Sequence, residues 1–181
     1  PVGRVPPPDL LFACTNICQT VLFWYRVLAH HFRVPLLLID TPFLYYEDAP
    51  THAVQYVRRQ LEDALPVAER VAGTELDISR LRGTGRLSRL ASHLWMEIMR
   101  CTTRRPAPIS VIDQFTQMAP VVEMRGDPAT VDCYAAVLKE VQDRIASGVG
   151  AVRQERKRLL WDNLPIWYQL RHVAELLGAH G

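Results

Sequence analysis

The sequence predicts an α/β fold, in which parallel-sheet units of Rossmann-like or flavodoxin-like type carry a helical insertion. The first observation is a strand–helix–strand pattern: apolar runs at residues 10–14 and 35–39 flank a helical pattern from Gln19 to Phe32. Apolar runs on both sides of a helix are typical of a βαβ unit with parallel strands. The second observation is that amphipathic helical patterns fill most of the chain that follows.

The insertion begins with a helix predicted from Thr51 to Gly73. Thr51 is expected to cap it, and apolar residues follow at helical spacing. Pro66 is expected to kink this helix or to split it in two. A second amphipathic region over residues 77–101 is expected to be divided by a break at the Gly-Thr-Gly sequence of residues 83–85.

Three further elements are predicted towards the end of the chain. Residues 109–122 form a short apolar segment of helical type. Asp127 followed by Pro128 is a strong helix start, because aspartate caps a helix and proline suits its first turn. Residues 158–161 are interpreted as a third strand, and residues 166–177 as a further helix after a loop.

These elements divide the chain into three predicted segments. Residues 1–45 form the strand–helix–strand unit, residues 46–155 are mostly helical, and residues 156–181 begin a second α/β unit. The two α/β pieces could share a sheet or belong to separate lobes. The first residues lead directly into a strand and the last end where another strand is expected, so we interpret the chain as an internal piece of a longer protein.

Composition excludes several classes of partner. The net charge of +2 over 181 residues is too small to indicate a nucleic-acid or membrane partner. No apolar run approaches the ~20 residues that cross a bilayer. Nothing indicates secretion, so we expect a cytoplasmic protein whose cysteines stay reduced.

Common catalytic motifs are absent from the sequence. There is no GxxxxGK[ST] phosphate-binding loop and no GxSxG nucleophile elbow. A cysteine–histidine pair remains a weak option, because no histidine has a recognisable context for it.

Cys18 is the residue whose position best suits chemistry. It lies where the first strand gives way to the helix, and ligands of parallel sheets bind at the carboxyl ends of the strands. A thiolate at a helix N-terminus is stabilised by the helix dipole, and iron–sulfur clusters require thiolate ligands. Cys14 precedes it by four residues, within the strand. Judged from the residues alone, a buried structural thiol is the favoured alternative.

Several ordered segments carry a resemblance to a known family. ACTNICQTVLFWY and VPLLLIDTPF are followed by QFTQMAPVVEMRGDP, YAAVLKEVQDRI and ERKRLLWDNLPIWYQLR. Together they resemble the 2-hydroxyacyl-CoA dehydratase and benzoyl-CoA reductase family over nearly the whole chain. The resemblance implies an iron–sulfur catalytic subunit, and hence an enzyme of dehydratase or aryl-CoA reductase type.

The resemblance also implies a cofactor and its ligands. Members bind a [4Fe–4S] cluster through three cysteines spread along a longer chain. By its place in the motif, Cys18 corresponds to the middle ligand, with Cys14 as the second choice. Cys101 and Cys133 match no ligand position. The other ligands are expected outside this piece, which should therefore not hold a cluster alone.

The partners implied are a second homologous cluster-binding subunit, an ATP-hydrolysing activator that supplies an electron, and an acyl-CoA substrate. No acid or base is assigned. Two alternatives stay open: a non-catalytic cluster-binding or scaffold relative that supports a partner, and a metal-free α/β binding domain. Candidates for the pocket wall come from the two predicted strand ends: Thr15, Asn16, Trp161, Asn163 and Trp167.

Overall fold

The computed structural model describes residues 6–45, 48–162 and 164–181. The chain forms two compact units, Pro1–Asp77 and Ile78–Gly181. The division into three segments, residues 1–45, 46–155 and 156–181, stays a prediction. No helix in the described ranges is both long enough and apolar enough to cross a membrane.

The first unit contains the predicted βαβ arrangement. Its elements are β1 (Leu11–Cys14), α1 (Gln19–Phe32), β2 (Leu36–Ile39) and α2 (Thr51–Ala72). The strands pair in parallel, with Leu11 opposite Leu36 and Cys14 opposite Ile39. Helix α1 contacts both strands, whereas α2 contacts β2. The α/β class is therefore confirmed, while the Rossmann-like or flavodoxin-like type needs more strands than this pair and stays a prediction.

Local chemistry explains where these helices end. Helix α1 ends at Arg33, which adopts the left-handed conformation (φ 56°) and donates its N–H to the carbonyl of Ala29. Gly73 ends α2 in the same conformation (φ 66°). Pro50, and not Thr51, occupies the N-cap position of α2 and makes no side-chain capping bond there, and the helix runs through Pro66 without being split. A proline removes one backbone donor, and the remaining turns of this helix of 22 residues keep it continuous.

The second unit is helical where it is regular. It contains α3 (Ile78–Cys101), α4 (Val111–Gln117), α5 (Ala119–Glu123), α6 (Pro128–Ala146), a 3₁₀ turn (Trp167–Gln169) and α7 (Leu170–His180). Helices α3 and α6 pack against each other. The buried core consists of Ala91, Ile98, Ile109, Val121, Tyr134 and Val141. Asp127 caps α6 as predicted, since its carboxylate accepts the N–H of Ala129 at 2.8 Å.

Two expectations for this unit were wrong. Helix α3 is continuous through residues 83–85, because a glycine costs a helix only about 1 kcal/mol and the Ala91–Ile98 face is buried in the core. Residues 155–162 form no strand. There Arg158 donates to the carbonyls of Thr102 and Arg104 instead, which holds the segment as a loop against the end of α3.

Candidate functional site: the strand ends around Cys18

Cys18 lies at the N-cap position of α1, with extended backbone angles (φ −61°, ψ 147°). Its carbonyl accepts the N–H groups of Val21 and Leu22, while its side chain makes no capping bond. The residue is exposed, and the first turn of α1 contains no acidic residue. The thiol is thus accessible at the N-terminal end of α1, where a ligand or a metal could reach it.

The other cysteines are placed less favourably for chemistry. Cys14 is the last residue of β1 and is half-buried. Cys101 ends α3 and Cys133 lies within α6, both half-buried and both free of disulfides. Burial raises the pKa of the Cys101 thiol above its usual value, and the nearby carboxylate of Glu97 raises that pKa further. Cys18 is therefore the one exposed thiol in the described ranges.

A hydrogen-bonded network joins the ends of the two strands beside this turn. The Thr15 hydroxyl donates to Oδ1 of Asp40 at 2.7 Å and accepts the backbone N–H of Thr41 at 2.9 Å. The N–H of Thr15 donates to the carbonyl of Ile39 at 2.9 Å, which extends the parallel pairing by one step. Thr15 is half-buried, whereas Asn16 is exposed in the turn that leads to Cys18.

Helix α2 completes the network from the other side. The Tyr56 hydroxyl donates to Oδ2 of Asp40 at 2.7 Å. The Gln60 amide bonds the backbone of Asp40 twice, since its Oε1 accepts the Asp40 N–H at 2.8 Å and its Nε2 donates to the Asp40 carbonyl at 2.9 Å. Both carboxylate oxygens of Asp40 and its main chain are therefore held by side chains of Thr15, Tyr56 and Gln60.

These bonds shift two acidities in opposite directions. The hydroxyl of Thr15, and after it that of Tyr56, lowers the pKa of Asp40 below its ordinary value, because both donate to the ionised carboxylate. Donation to Asp40 raises the pKa of the Tyr56 phenol. The network therefore makes Asp40 a stronger acid and Tyr56 a weaker acid than the free side chains.

The tryptophans predicted for the pocket wall come together in the second unit. Trp161 and Trp167 both contact the ring of Phe115 edge-on, with centroids 6.3 Å and 6.1 Å away. Trp167 also lines a shallow cavity of about 410 Å³ with residues of α7. Asn163 lies outside the described residues. Thr15 and Asn16 belong to the first unit, so a single pocket wall built from both sets stays a prediction.

The described residues hold no group of three His, Cys, Asp or Glu side chains that could bind a metal ion together. Cys18 fits one position of a thiolate site, and the described residues do not complete such a site. Asp40, Tyr56 and Gln60 were missed as site residues in the sequence. Asp40 carried a signal, because a polar residue directly after a buried parallel strand lies at the edge where such sheets bind ligands.

Comparison with known proteins agrees with the resemblance in the motifs. The family model described as 2-hydroxyglutaryl-CoA dehydratase, D-component, matches residues 3–181. The (R)-phenyllactyl-CoA dehydratase alpha subunit of Clostridium sporogenes is 27% identical over 178 residues, which cover 98% of this chain and 44% of that protein.

Two further relatives extend the match to other acyl groups and to a reductase. The (R)-2-hydroxyisocaproyl-CoA dehydratase alpha subunit of Clostridioides difficile is 28% identical over 98% of this chain and 44% of its own. A benzoyl-CoA reductase subunit of Thauera aromatica is 26% identical over 100% of this chain and 44% of its own. The chain spans less than half of the length of these relatives. It belongs to the 2-hydroxyglutaryl-CoA dehydratase D-component family.

Proposed function

We propose that this chain is part of the iron–sulfur catalytic subunit of a radical 2-hydroxyacyl-CoA dehydratase or of a related benzoyl-CoA reductase. The observation that carries the proposal is the exposed Cys18 thiol at the N-terminus of α1, beside the carboxyl ends of two parallel strands. The family match over residues 3–181 supports the enzyme class, and the names of the relatives support an acyl-CoA or aryl-CoA substrate.

Cys18 is proposed as a ligand of a [4Fe–4S] cluster, with Cys14 as the second choice. When bound, such a cluster supplies one-electron chemistry at low potential. The remaining ligands must come from residues beyond those described, which hold no set of three. The chain's own contribution is to present the thiol: the Thr15–Asp40 bond fixes the strand ends from which the turn to Cys18 departs.

The proposal includes partners and a location. The relatives are named as single subunits of larger enzymes, which implies a second subunit that we take to be homologous and cluster-binding. An ATP-hydrolysing activator would deliver the electron, and the assembly would be cytoplasmic. Thr15, Asn16, Trp161, Asn163 and Trp167 remain the candidates for the wall of the substrate pocket.

One observation favours a second candidate function. Apart from Cys18, the described strand ends present an ionised carboxylate whose oxygens are both bonded within the protein. A side chain engaged in this way supports structure better than proton transfer. A non-catalytic cluster-binding or scaffold subunit, which supports a catalytic partner, is therefore the alternative.

The deciding experiment measures iron and acid-labile sulfide in the full-length protein, purified without oxygen. We expect near-stoichiometric cluster in the parent, its loss in Cys18→Ala, and its retention in the control Cys133→Ala, because Cys133 is half-buried within α6. Acyl-CoA turnover with the activator would then separate enzyme from scaffold. An iron-free parent, or a Cys18→Ala variant with full cluster content, would contradict the assignment.

A further inference from the structure

A cationic pocket of about 430 Å³ lies in the second unit, between the turn after α3 and the loop that precedes Trp161. Most of the side chains that line it are basic, and they come from two separate stretches of the chain. The basic residues are Arg105, Arg153, Arg156, Lys157 and Arg158. We call this site the cationic pocket.

The one carboxylate that lines the pocket is already engaged. The Glu155 carboxylate accepts two hydrogen bonds, one from the Nε–H of Arg158 at 2.5 Å and one from the backbone N–H of Ala107 at 2.6 Å. The bond from Arg158, with that from Ala107, lowers the pKa of Glu155, so it stays ionised and paired. Glu155 therefore balances Arg158, and the pocket keeps an excess of positive charge.

Four basic side chains of the pocket are exposed and form no ion pair with a described carboxylate: Arg105, Arg153, Arg156 and Lys157. Among them, the Arg156 side chain donates to the neutral amide of Gln154 at 3.3 Å, and the Arg156 backbone N–H donates to the carbonyl of Gly181 at 2.9 Å. Like charges held close together repel each other, and a bound anion would relieve that repulsion.

The backbone that carries these cations is fixed from both sides. The N–H of Ala151 donates to the carbonyl of Ala107 at 2.7 Å. The Arg158 guanidinium donates to the carbonyl of Thr102 at 2.8 Å and to that of Arg104. These bonds hold the loop against the turn after α3. The backbone positions from which the cations extend are thus fixed, which lowers the entropic cost of bringing several of them to one anion.

We propose that the cationic pocket binds the phosphate groups of the coenzyme A moiety of the thioester substrate, an inference that rests on the function proposed above. Phosphates are the groups that arginine forks recognise best, and a phosphate monoester carries about −1.5 to −2 charges near pH 7. The named relatives differ in the acyl group, whereas coenzyme A is common to their names. A site for its phosphates would serve any acyl group.

The test compares two substrates that differ only in the phosphate-bearing part. The pocket variant carries Arg153→Gln and Lys157→Gln and so loses two of the pocket's positive charges. Within the described part of the chain, neither of these two side chains forms a hydrogen bond. Arg82→Gln combined with Arg89→Gln, on the exposed surface of α3, removes the same charge elsewhere in the unit. Each full-length protein is assayed with an acyl-CoA and with the matching acyl-pantetheine, and free coenzyme A binding is measured by calorimetry.

We expect the pocket variant to raise the KM for the acyl-CoA and the Kd for free coenzyme A by about tenfold or more, as lost charge-assisted contacts to phosphate predict. The kinetics with acyl-pantetheine, and all values for the α3 control, should not change. The Kd of the parent should also weaken with added salt more steeply than that of the pocket variant.

Binding and turnover distinguish the two proposals. If the parent binds coenzyme A and the pocket variant binds it more weakly, but the parent turns over no thioester, the pocket assignment is supported and the proposed reaction is contradicted. If the parent turns over acyl-CoA and the pocket variant binds coenzyme A as tightly as the parent, the pocket assignment is wrong. It is equally wrong if the parent does not bind coenzyme A or if the α3 control weakens binding to the same extent.

Discussion

The Thr15 hydroxyl and the Asp40 carboxylate are joined by a hydrogen bond of 2.7 Å that links the ends of the two parallel strands. Thr15 follows β1 and Asp40 follows β2, so the bond closes the sheet at the edge where α1 begins. Tyr56 occupies the other carboxylate oxygen from α2. The turn that carries Cys18 therefore begins at the end of β1, which is held in place by its hydrogen bond to Asp40 at the end of β2.

The hydrogen bonds of Asp40 predict that the free energy of unfolding decreases both at acidic and at alkaline pH. The pKa of folded Asp40 lies below 3.8, so its contribution is present above that value and is lost as the pH falls through the folded pKa. The pKa of folded Tyr56 lies above 10.0, so its contribution is present below that value and is lost as the pH rises through the folded pKa. Stability from this network should be greatest between the two folded pKa values.

Thermal unfolding of the full-length protein across pH tests this dependence. Asp40→Asn should lower the unfolding midpoint most near neutral pH, and the difference from the parent should shrink in acid and in alkali. Asp63→Asn, an exposed carboxylate on α2, is the matched control and should change little at any pH. A difference between parent and Asp40→Asn that does not vary with pH would contradict the network's role.

The accessibility of Cys18 predicts its order of alkylation in the metal-free protein. Cys18 is exposed, whereas Cys101 is half-buried and its pKa is raised by burial and by Glu97. Because the thiolate is the reactive form, iodoacetamide should modify Cys18 at least about tenfold faster than Cys101. Peptide mass spectrometry at short reaction times measures both rates. Labelling of Cys101 as fast as that of Cys18 would contradict the exposure of the Cys18 thiol at the start of α1.

Much of the first unit could be predicted from the sequence, because its signals are local. The apolar runs before and after α1 predict the paired strands, and the place of Cys18 after β1 predicts its position at the helix start. Asp127 before Pro128 predicted the start of α6 for the same reason. A strand, a cap or a helix start depends on a few neighbouring residues.

The Asp40 network could not be predicted in this way, since its members come from different elements. Tyr56 and Gln60 reach Asp40 only after α2 has packed against β2. The same limit explains the wrong third strand: the apolar Leu159 and Leu160 suggested burial, yet they are 73% and 95% exposed. Tertiary bonds made by Arg158, not local propensity, decide the path of that loop.

Gly126, in the turn between α5 and α6, is predicted to be harder to replace than Gly148, which follows α6. Gly126 has a left-handed backbone (φ 92°), and an added Cβ would overlap the methyl group of Thr84 on α3. Gly148 has a similar conformation (φ 67°) but open space around it. Gly148→Ala should cost about 1 kcal/mol, while Gly126→Ala should add an overpacking cost of about 1–3 kcal/mol. Equal unfolding midpoints for the two variants would contradict the close contact with α3.

The continuity of α3 predicts that a glycine replacement will stabilise the protein. Gly85 lies inside the helix, and an added Cβ there would meet nothing within 4 Å. Gly85→Ala should therefore raise the free energy of unfolding by about 0.5–1 kcal/mol, since alanine restricts the unfolded chain and favours the helix. Gly148→Ala is the control and should lower the free energy of unfolding, because the backbone of Gly148 is left-handed. A lower unfolding midpoint for Gly85→Ala would indicate that the chain does break at residues 83–85, as the sequence alone suggests.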